Sequence, residues 1–225
     1  MMGQTIELQA SDGHSLSAYE ASPTGKHRGG LVVIQEIFGV NEHIRTVTDG
    51  FATDGYYCVA PAIFDRAKPG VELNYGPEAV ATGRSMLETI GIDSMLLDVE
   101  AARAAAASAG KVGVVGYCLG GSLAWLAATR LNGVAAASCY YGGRIAAVAD
   151  EKPRCPVQMH FGDKDQSIPI ADVEKIRANV PAGLVEIFTY PAGHAFNRDA
   201  GASYEPQSAK LARERTLKLF REHVG

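Results

Sequence analysis

The sequence has few cysteines, no long apolar run and no excess of basic residues, and each shortage excludes a class of protein. Its four cysteines are far apart and form no C-x-x-C pair, so neither a zinc site nor a disulfide framework is expected. The longest apolar runs are strand-length and cannot span a bilayer, and the start, MMGQTIELQASDG, lacks the apolar segment of a signal peptide. A cytoplasmic location is therefore expected. With a formal net charge of −4 and no basic cluster, neither nucleic acid nor a membrane is an expected partner.

The remaining composition fits one globular domain, 1–225, because 225 residues and a 47% apolar fraction are ordinary for a single α/β unit. A polar hairpin over 4–20 precedes alternating strands and helices. The pattern predicts later strands at 30–35, 56–60, 112–115, 134–140, 157–161 and 185–190, and helices at 41–54, 77–90, 93–109, about 119–130, 169–179 and 206–223. Residues 61–76 are predicted to be loop, with Pro61 ending a strand. This order predicts an α/β fold, a mostly parallel sheet flanked by helices on both faces, with ligands bound at the carboxyl ends of the strands.

The most informative stretch runs from 111 to 128, where an apolar strand breaks on glycines and continues as an Ala/Leu-rich helix. Its turn, Gly116-Tyr117-Cys118-Leu119-Gly120, has the spacing of the G-x-nucleophile-x-G elbow of α/β-hydrolases, with cysteine in place of serine. A sharp strand-to-helix turn strains its central residue and leaves no room for side chains two positions away. The thiol would project from the top of the sheet.

Three other interpretations compete for this turn. A dinucleotide-binding turn needs G-x-G-x-x-G, and the glycines here have another order. A phosphate-binding loop needs Lys after its last glycine, and none follows Gly121. A plain buried cysteine is the third alternative, and it is the expected state of Cys58, Cys139 and Cys155.

Two further strand ends supply the partners that a nucleophile needs. The strand at 157–161 is followed by Asp163 and Asp165, and the strand at 185–190 by His194. Nucleophile, acid and histidine in this chain order match the triad of α/β-hydrolases. Histidine would take the thiol proton and the carboxylate would fix the imidazole tautomer. Alone, His194 is more simply a structural hydrogen-bonding residue, and the aspartates could form a solvated turn.

Five segments together resemble the dienelactone hydrolase (carboxymethylenebutenolidase) family. They are spread over nearly the whole chain: Gln35–Asn41 (QEIFGVN), Gly116–Gly121 (GYCLGG), Tyr140–Gly142 (YYG), His160–Gly162 (HFG) followed by Asp165, and Ala192–Phe196 (AGHAF). The resemblance implies that Cys118 is the nucleophile, His194 the base, and Asp165 rather than Asp163 the acid.

The resemblance also implies roles for residues around the thiol. The amides of Leu119 and Ile37 would form the oxyanion hole. Glu36 would lie beside the thiol in the resting enzyme and move when substrate arrives, so that thiolate forms only then. A thiolate generated on binding is protected from oxidation. Without the resemblance, Glu36 would be an ordinary strand-end carboxylate.

The substrate-binding residues match the family only in part. The family binds a carboxylate-bearing lactone with two arginines, and Arg198 matches one of them. The helix register places Val80 at the second position, with Arg84 one turn later on the same face, where it could substitute. The natural substrate could therefore differ from dienelactone.

The sequence thus predicts a cytoplasmic, cofactor-free and metal-free hydrolase that opens a small lactone or ester through a thioester acyl-enzyme. Two alternatives stay open: a broader carboxylesterase or thioesterase on the same scaffold, and a binding protein that retains the fold without catalysis.

Overall fold

Eight strands form a single sheet in the computed structural model, which describes residues 3–225. The first two residues of the predicted domain lie outside the described residues. The strands are β1 (Gln4–Gln9), β2 (Ser15–Ala21), β3 (Gly30–Ile34), β4 (Tyr57–Pro61), β5 (Val112–Tyr117), β6 (Val134–Tyr140), β7 (Val157–Gly162) and β8 (Val185–Tyr190). Their spatial order is β1-β2-β4-β3-β5-β6-β7-β8.

The sheet is antiparallel only at its beginning. β1 pairs with β2 and β2 with β4 in antiparallel fashion, whereas all pairs from β4 through β3 and β5 to β8 are parallel. The carboxyl ends of β3, β5, β6, β7 and β8 therefore meet at one edge of the sheet. Except for Arg84, the predicted site residues follow four of these strands, so the topology alone brings them to the same edge.

Six α-helices in the described part of the chain connect and cover the strands. They are α1 (Glu42–Thr53), α2 (Pro77–Ile90), α3 (Ile92–Ala106), α4 (Leu119–Arg130), α5 (Ile170–Asn179) and α6 (Pro206–His223). The predicted N-cap of α1 is confirmed, since the side chain of Asn41 accepts a hydrogen bond from the N–H of Ile44 at 3.3 Å. Among the described residues, no helix is long and apolar enough to cross a membrane.

Two expectations about the chain after β4 were wrong. Pro61 does not stop the strand but is its last residue, opposite Ala18 of β2. It is tolerated there because β3 pairs with β4 only as far as Val59, so no partner on that side needs the missing N–H. The predicted loop 61–76 also contains a 3₁₀ helix, Ile63–Arg66, whose apolar residues enter the core.

The core fills both faces of the central strands. β3 and β5 are buried throughout, as expected for parallel strands covered by helices on both sides. α4 lies against β5 and β6, and only its last residue, Arg130, is exposed. Cys58, Cys139 and Cys155 are free and buried, as predicted, and Cys118 alone among the four is partly exposed.

Candidate active site

The turn between β5 and α4 has the strained geometry predicted for the elbow. Cys118 has φ 55° and ψ −109°, a backbone conformation that L-residues rarely adopt. The turn is so tight that a Cβ added at Gly116 would lie 1.9 Å from the carbonyl oxygen of Gly120. A Cβ added at Gly120 would lie 2.4 Å from the carbonyl oxygen of Ile34. Both glycines are therefore required sterically, and the turn directs the thiol away from the sheet.

The structure brings the three predicted side chains together. The Nε2 atom of His194 lies 3.3 Å from Sγ of Cys118, and its Nδ1 atom lies 2.6 Å from Oδ2 of Asp165. An ionised carboxylate can only accept, so Nδ1 carries the proton in this pair and Nε2 is free to accept the thiol proton. The thiol, imidazole and carboxylate form a continuous chain.

The loops after β7 and β8 hold this chain in place. Oδ1 of Asp165 accepts the N–H groups of Ser167 and Ile168 at 2.7 and 3.1 Å, which fixes the carboxylate while Oδ2 faces the imidazole. The ring of Tyr141, which directly follows β6, packs against the His194 ring with centroids 5.2 Å apart. Asp163, the rival acid of the sequence analysis, is exposed and makes no hydrogen bond to the histidine.

The surroundings of His194 raise the affinity of its imidazole for a proton. Burial disfavours the imidazolium, but the hydrogen bonds to Asp165 and Cys118 outweigh burial and raise the pKa of His194 to about 10. An imidazole with a raised pKa readily accepts the proton of a neighbouring thiol.

A cavity of about 410 Å³ opens above Cys118 and His194. Its wall comes from the loops after β3, β6, β7 and β8 together with α2 and the start of α4. The residues that line it are Glu36, Ile37, Phe38, Val80, Arg84, Leu87, Glu88, Cys118, Leu119, Ser122, Gly143, Arg144, Ser167, Ile168, His194 and Arg198. A larger cavity of about 570 Å³ at the first turn of α1 contains none of the predicted site residues, so size alone would have misplaced the site.

The two amides predicted for the oxyanion hole border this cavity. Leu119 is the first residue of α4 and Ile37 follows β3, and both line the pocket. Within residues 3–225, neither N–H group donates a hydrogen bond, whereas the N–H of Gly120 is taken by the carbonyl oxygen of Gln35 at 3.0 Å. Both amides are therefore available to an acceptor in the cavity.

Glu36 is buried in the cavity wall, and its side chain forms an ion pair with an arginine. Its Oε2 atom lies 3.3 Å from Nη1 of Arg198. Its Oε1 atom and Nε of Arg198 are both buried without a hydrogen-bond partner in the described chain. The guanidinium also lies over the rings of Tyr75, at 4.2 Å, and Phe38, at 5.4 Å. The predicted position of Glu36 beside the thiol, and its movement on binding, remain predictions.

The other predicted substrate-binding residue, Arg84, also lines the cavity, as does Val80 one turn earlier on α2. Sequence reasoning missed Arg144 and Ser122, which line it from the β6 side. The signal for Arg144 was present, because it follows a buried strand by four residues, as the predicted site residues follow theirs. Sequence reasoning also missed Tyr75, whose ring lies under the guanidinium of Arg198. The sequence gives no signal for that contact.

A mostly parallel sheet with this elbow at its carboxyl edge, and a histidine and an aspartate from the last two strand ends, defines an α/β-hydrolase. A comparison with models of protein families assigns the chain to a narrower class. The model of the dienelactone hydrolase family matches residues 16–224, and the chain belongs to that family. It is a dienelactone hydrolase-like carboxylic ester hydrolase.

Individual relatives agree with this assignment. The carboxymethylenebutenolidase of Pseudomonas putida is 33% identical over 226 residues, covering 96% of this chain and 95% of that protein. Carboxymethylenebutenolidase 1 of Cupriavidus pinatubonensis is 30% identical, covering 98% and 97%. A crystal structure from Klebsiella pneumoniae, provisionally described as a dienelactone hydrolase, matches with a TM-score of 0.85 at 30% identity, covering 98% of this chain and 100% of that one. An esterase from Pyrococcus furiosus, with a TM-score of 0.70 at 14% identity over 99% and 93% of the chains, shares the fold alone.

Proposed function

We propose that the protein hydrolyses a lactone or ester through a thioester on Cys118, with His194 as general base and Asp165 as its orienting acid. The observation that carries this proposal is the continuous chain Sγ, Nε2, Nδ1 and Oδ2, with separations of 3.3 and 2.6 Å across the imidazole, inside a cavity able to hold a small substrate. The 2.6 Å contact is a short hydrogen bond, and 3.3 Å is a hydrogen-bonding distance for the larger sulfur atom, so each pair can share or transfer a proton.

In the first half-reaction the thiol proton passes to Nε2 of His194 and sulfur bonds to the substrate carbonyl carbon. The amides of Leu119 and Ile37 would stabilise the developing oxyanion, since neither donates to another described residue and Leu119 begins a helix. The carbon–oxygen bond to the leaving group then breaks, and the leaving oxygen takes the proton from the imidazolium. This leaves a thioester on Cys118.

In the second half-reaction His194 accepts a proton from water as the water oxygen attacks the thioester carbonyl. The carbon–sulfur bond breaks, the sulfur is reprotonated by the imidazolium, and the acid product leaves. Asp165 stays ionised throughout, because its role is to hold the Nδ1–H tautomer and to stabilise the imidazolium. We also propose the reducing cytoplasm as the compartment, because a nucleophilic thiol and three further free cysteines suit it.

The test is hydrolysis of para-nitrophenyl acetate by Cys118→Ala, His194→Ala and the wild-type protein. Cys118→Ala is expected to lose at least about 10³-fold in kcat/KM, since no covalent route remains. Mass spectrometry of the quenched wild-type reaction should show an acyl adduct on Cys118. A matched control, Cys155→Ala, removes a buried thiol outside the cavity and should keep its activity. Unchanged turnover in Cys118→Ala would remove the mechanism.

A broader carboxylesterase or thioesterase is the second candidate, and a specific observation favours it. Arg198, the predicted carboxylate-binding residue, is held by Glu36, and Val80 rather than an arginine occupies the other predicted position. Arg198→Ala separates the two functions. If Arg198 binds substrate carboxylate, this variant should harm carboxylate-bearing lactones far more than neutral esters. Equal effects on both would favour the broader esterase.

A further inference from the structure

The β6 side of the cavity carries two polar side chains that the proposed mechanism does not use. Arg144 lies in the loop after β6, and Ser122 lies in α4, one helical turn after Cys118. The two are joined, because the backbone N–H of Arg144 donates to Oγ of Ser122 at 3.1 Å. This bond fixes the start of the Arg144 side chain relative to the elbow.

The sheet order places this pair opposite the predicted substrate-binding residues. β5, which leads into Cys118, lies between β3 and β6. The loop after β3 carries Glu36, which holds Arg198. The loop after β6 carries Arg144. A substrate with its carbonyl at the thiol can therefore extend toward Arg198 on one side and toward Arg144 on the other.

The two side chains on the β6 side of the cavity are suited to bind an anionic oxygen group. Arg144 is exposed and lines the cavity, and within residues 3–225 its guanidinium makes neither an ion pair nor a hydrogen bond. Arg198, by contrast, is already neutralised by Glu36. Ser122 is only 2% exposed, and its hydroxyl accepts a bond from the Arg144 amide but donates to no other described residue. Its proton is therefore available to an acceptor in the cavity.

We propose that Arg144 and Ser122 form an anion-recognising subsite that selects esters bearing a carboxylate, or a similar anionic oxygen group, on the β6 side of Cys118. The proposal rests on the proposed function, since it assumes that the scissile carbonyl lies at the thiol. Guanidinium groups bind carboxylates through paired N–H donors, and a buried hydroxyl donor beside the guanidinium can orient the bound carboxylate. Arg144 is thus a specificity-determining residue, separate from Arg198.

The test uses two matched pairs of esters that differ in one charge. In the first pair the charge is on the leaving group: para-acetoxybenzoate against its methyl ester. In the second it is on the acyl group: the para-nitrophenyl monoester of adipate against para-nitrophenyl hexanoate. Arg144→Met should lower kcat/KM at least about tenfold for the anionic member of at least one pair, because a charge-assisted contact is lost. The neutral members should stay within about twofold, which also shows that the variant is folded.

Two further variants sharpen the result. Arg177→Met removes one positive charge from α5, outside the cavity, and should affect the charged and neutral esters alike. Arg144→Glu should prefer the cationic ester para-trimethylammoniophenyl acetate over the anionic ones. If Cys118 is required for neutral esters and Arg144→Met leaves both anionic-to-neutral ratios unchanged, the subsite is refuted while the proposed function stands. If Cys118→Ala still hydrolyses neutral esters, the proposed function itself fails.

Discussion

Replacing Asp165 with Asn tests the proposed roles of Asp165 and His194 more closely than removing the thiol does. The two oxygens of this carboxylate have separate tasks: Oδ1 accepts the amides of Ser167 and Ile168, and Oδ2 contacts Nδ1 of His194 at 2.6 Å. Asparagine can keep Oδ1 in place, so the loop after β7 is preserved. Its NH₂ group then faces His194 and can only donate.

This substitution should reverse the imidazole tautomer. With a donor opposite it, Nδ1 must become the acceptor, so Nε2 carries the proton and points it at the Cys118 sulfur. The histidine then cannot take the thiol proton. We expect kcat/KM for para-nitrophenyl acetate to fall about 10³-fold or more, which corresponds to about 4 kcal/mol of activation free energy.

The rate at which the Cys118 thiol is alkylated gives an independent measure of the same change. The hydrogen bond that His194 donates to Asp165 helps to raise the pKa of His194 to about 10, so Asp165→Asn should lower the pKa of His194 and slow iodoacetamide alkylation of Cys118 at pH 7. The free energy of unfolding should fall by no more than about 3 kcal/mol, the largest loss expected for one hydrogen bond to a charged group.

The matched control is Asp163→Asn, two residues earlier and exposed, which should match the wild type in all three measurements. If Asp165→Asn keeps more than a tenth of the activity while folded, the tautomer argument is wrong. Equal losses in both variants would mean that the charge of the loop, rather than the contact with His194, supports activity.

Two predictions concern groups that hold the fold. Burial lowers the pKa of His160 to about 3, so between about pH 6.5 and 3 the unfolded chain binds one more proton than the native chain, and stability is lost as the pH falls. From pH 7 to 5, urea unfolding should show the wild type losing about 2 kcal/mol relative to His160→Gln, and a constant difference would contradict this. Arg66 binds both Asp98, with a fully buried side chain, and Asp12, whose side chain is 39% exposed. Asp98→Ala should cost about 3–5 kcal/mol in urea unfolding because it removes two charge-assisted hydrogen bonds from a largely buried guanidinium and leaves it only the partly exposed Asp12. Asp12→Ala should cost much less, and equal losses would refute the burial argument.

The elements of the fold that could be predicted from the sequence are those with a local cause. The bounds of α2, β6, β8 and α6 agree with the prediction because proline starts, apolar periods and polar breaks mark them directly. Pro61 shows the limit of this reasoning. Whether proline can sit in a strand depends on which neighbour needs its N–H, and strand order is not written in a local pattern.

The part of the candidate site that could be predicted consists of residues that follow the ends of strands. Cys118, Asp165 and His194 each follow a recognisable strand, so the parallel sheet brings them to one edge without any knowledge of side-chain packing. Arg144 follows a strand in the same way, and the same rule applied to every strand would have found it. The ion pair between Glu36 and Arg198 joins residues 162 positions apart on two irregular loops. No local pattern predicts such a contact.

That ion pair also determines how the charge of the cavity should be interpreted. Apart from His194, five charged side chains line it, three arginines and two glutamates, but Glu36 and Arg198 neutralise each other in this structure. The remaining positive groups are Arg84 and Arg144, neither of which is paired within the described chain. An anionic substrate that binds at Arg198 must compete with a buried carboxylate, whereas one that binds at Arg144 displaces only water. Unless Glu36 moves, binding an anionic group therefore costs less free energy on the β6 side. The charge of the preferred ester should then depend more on Arg144 than on Arg198.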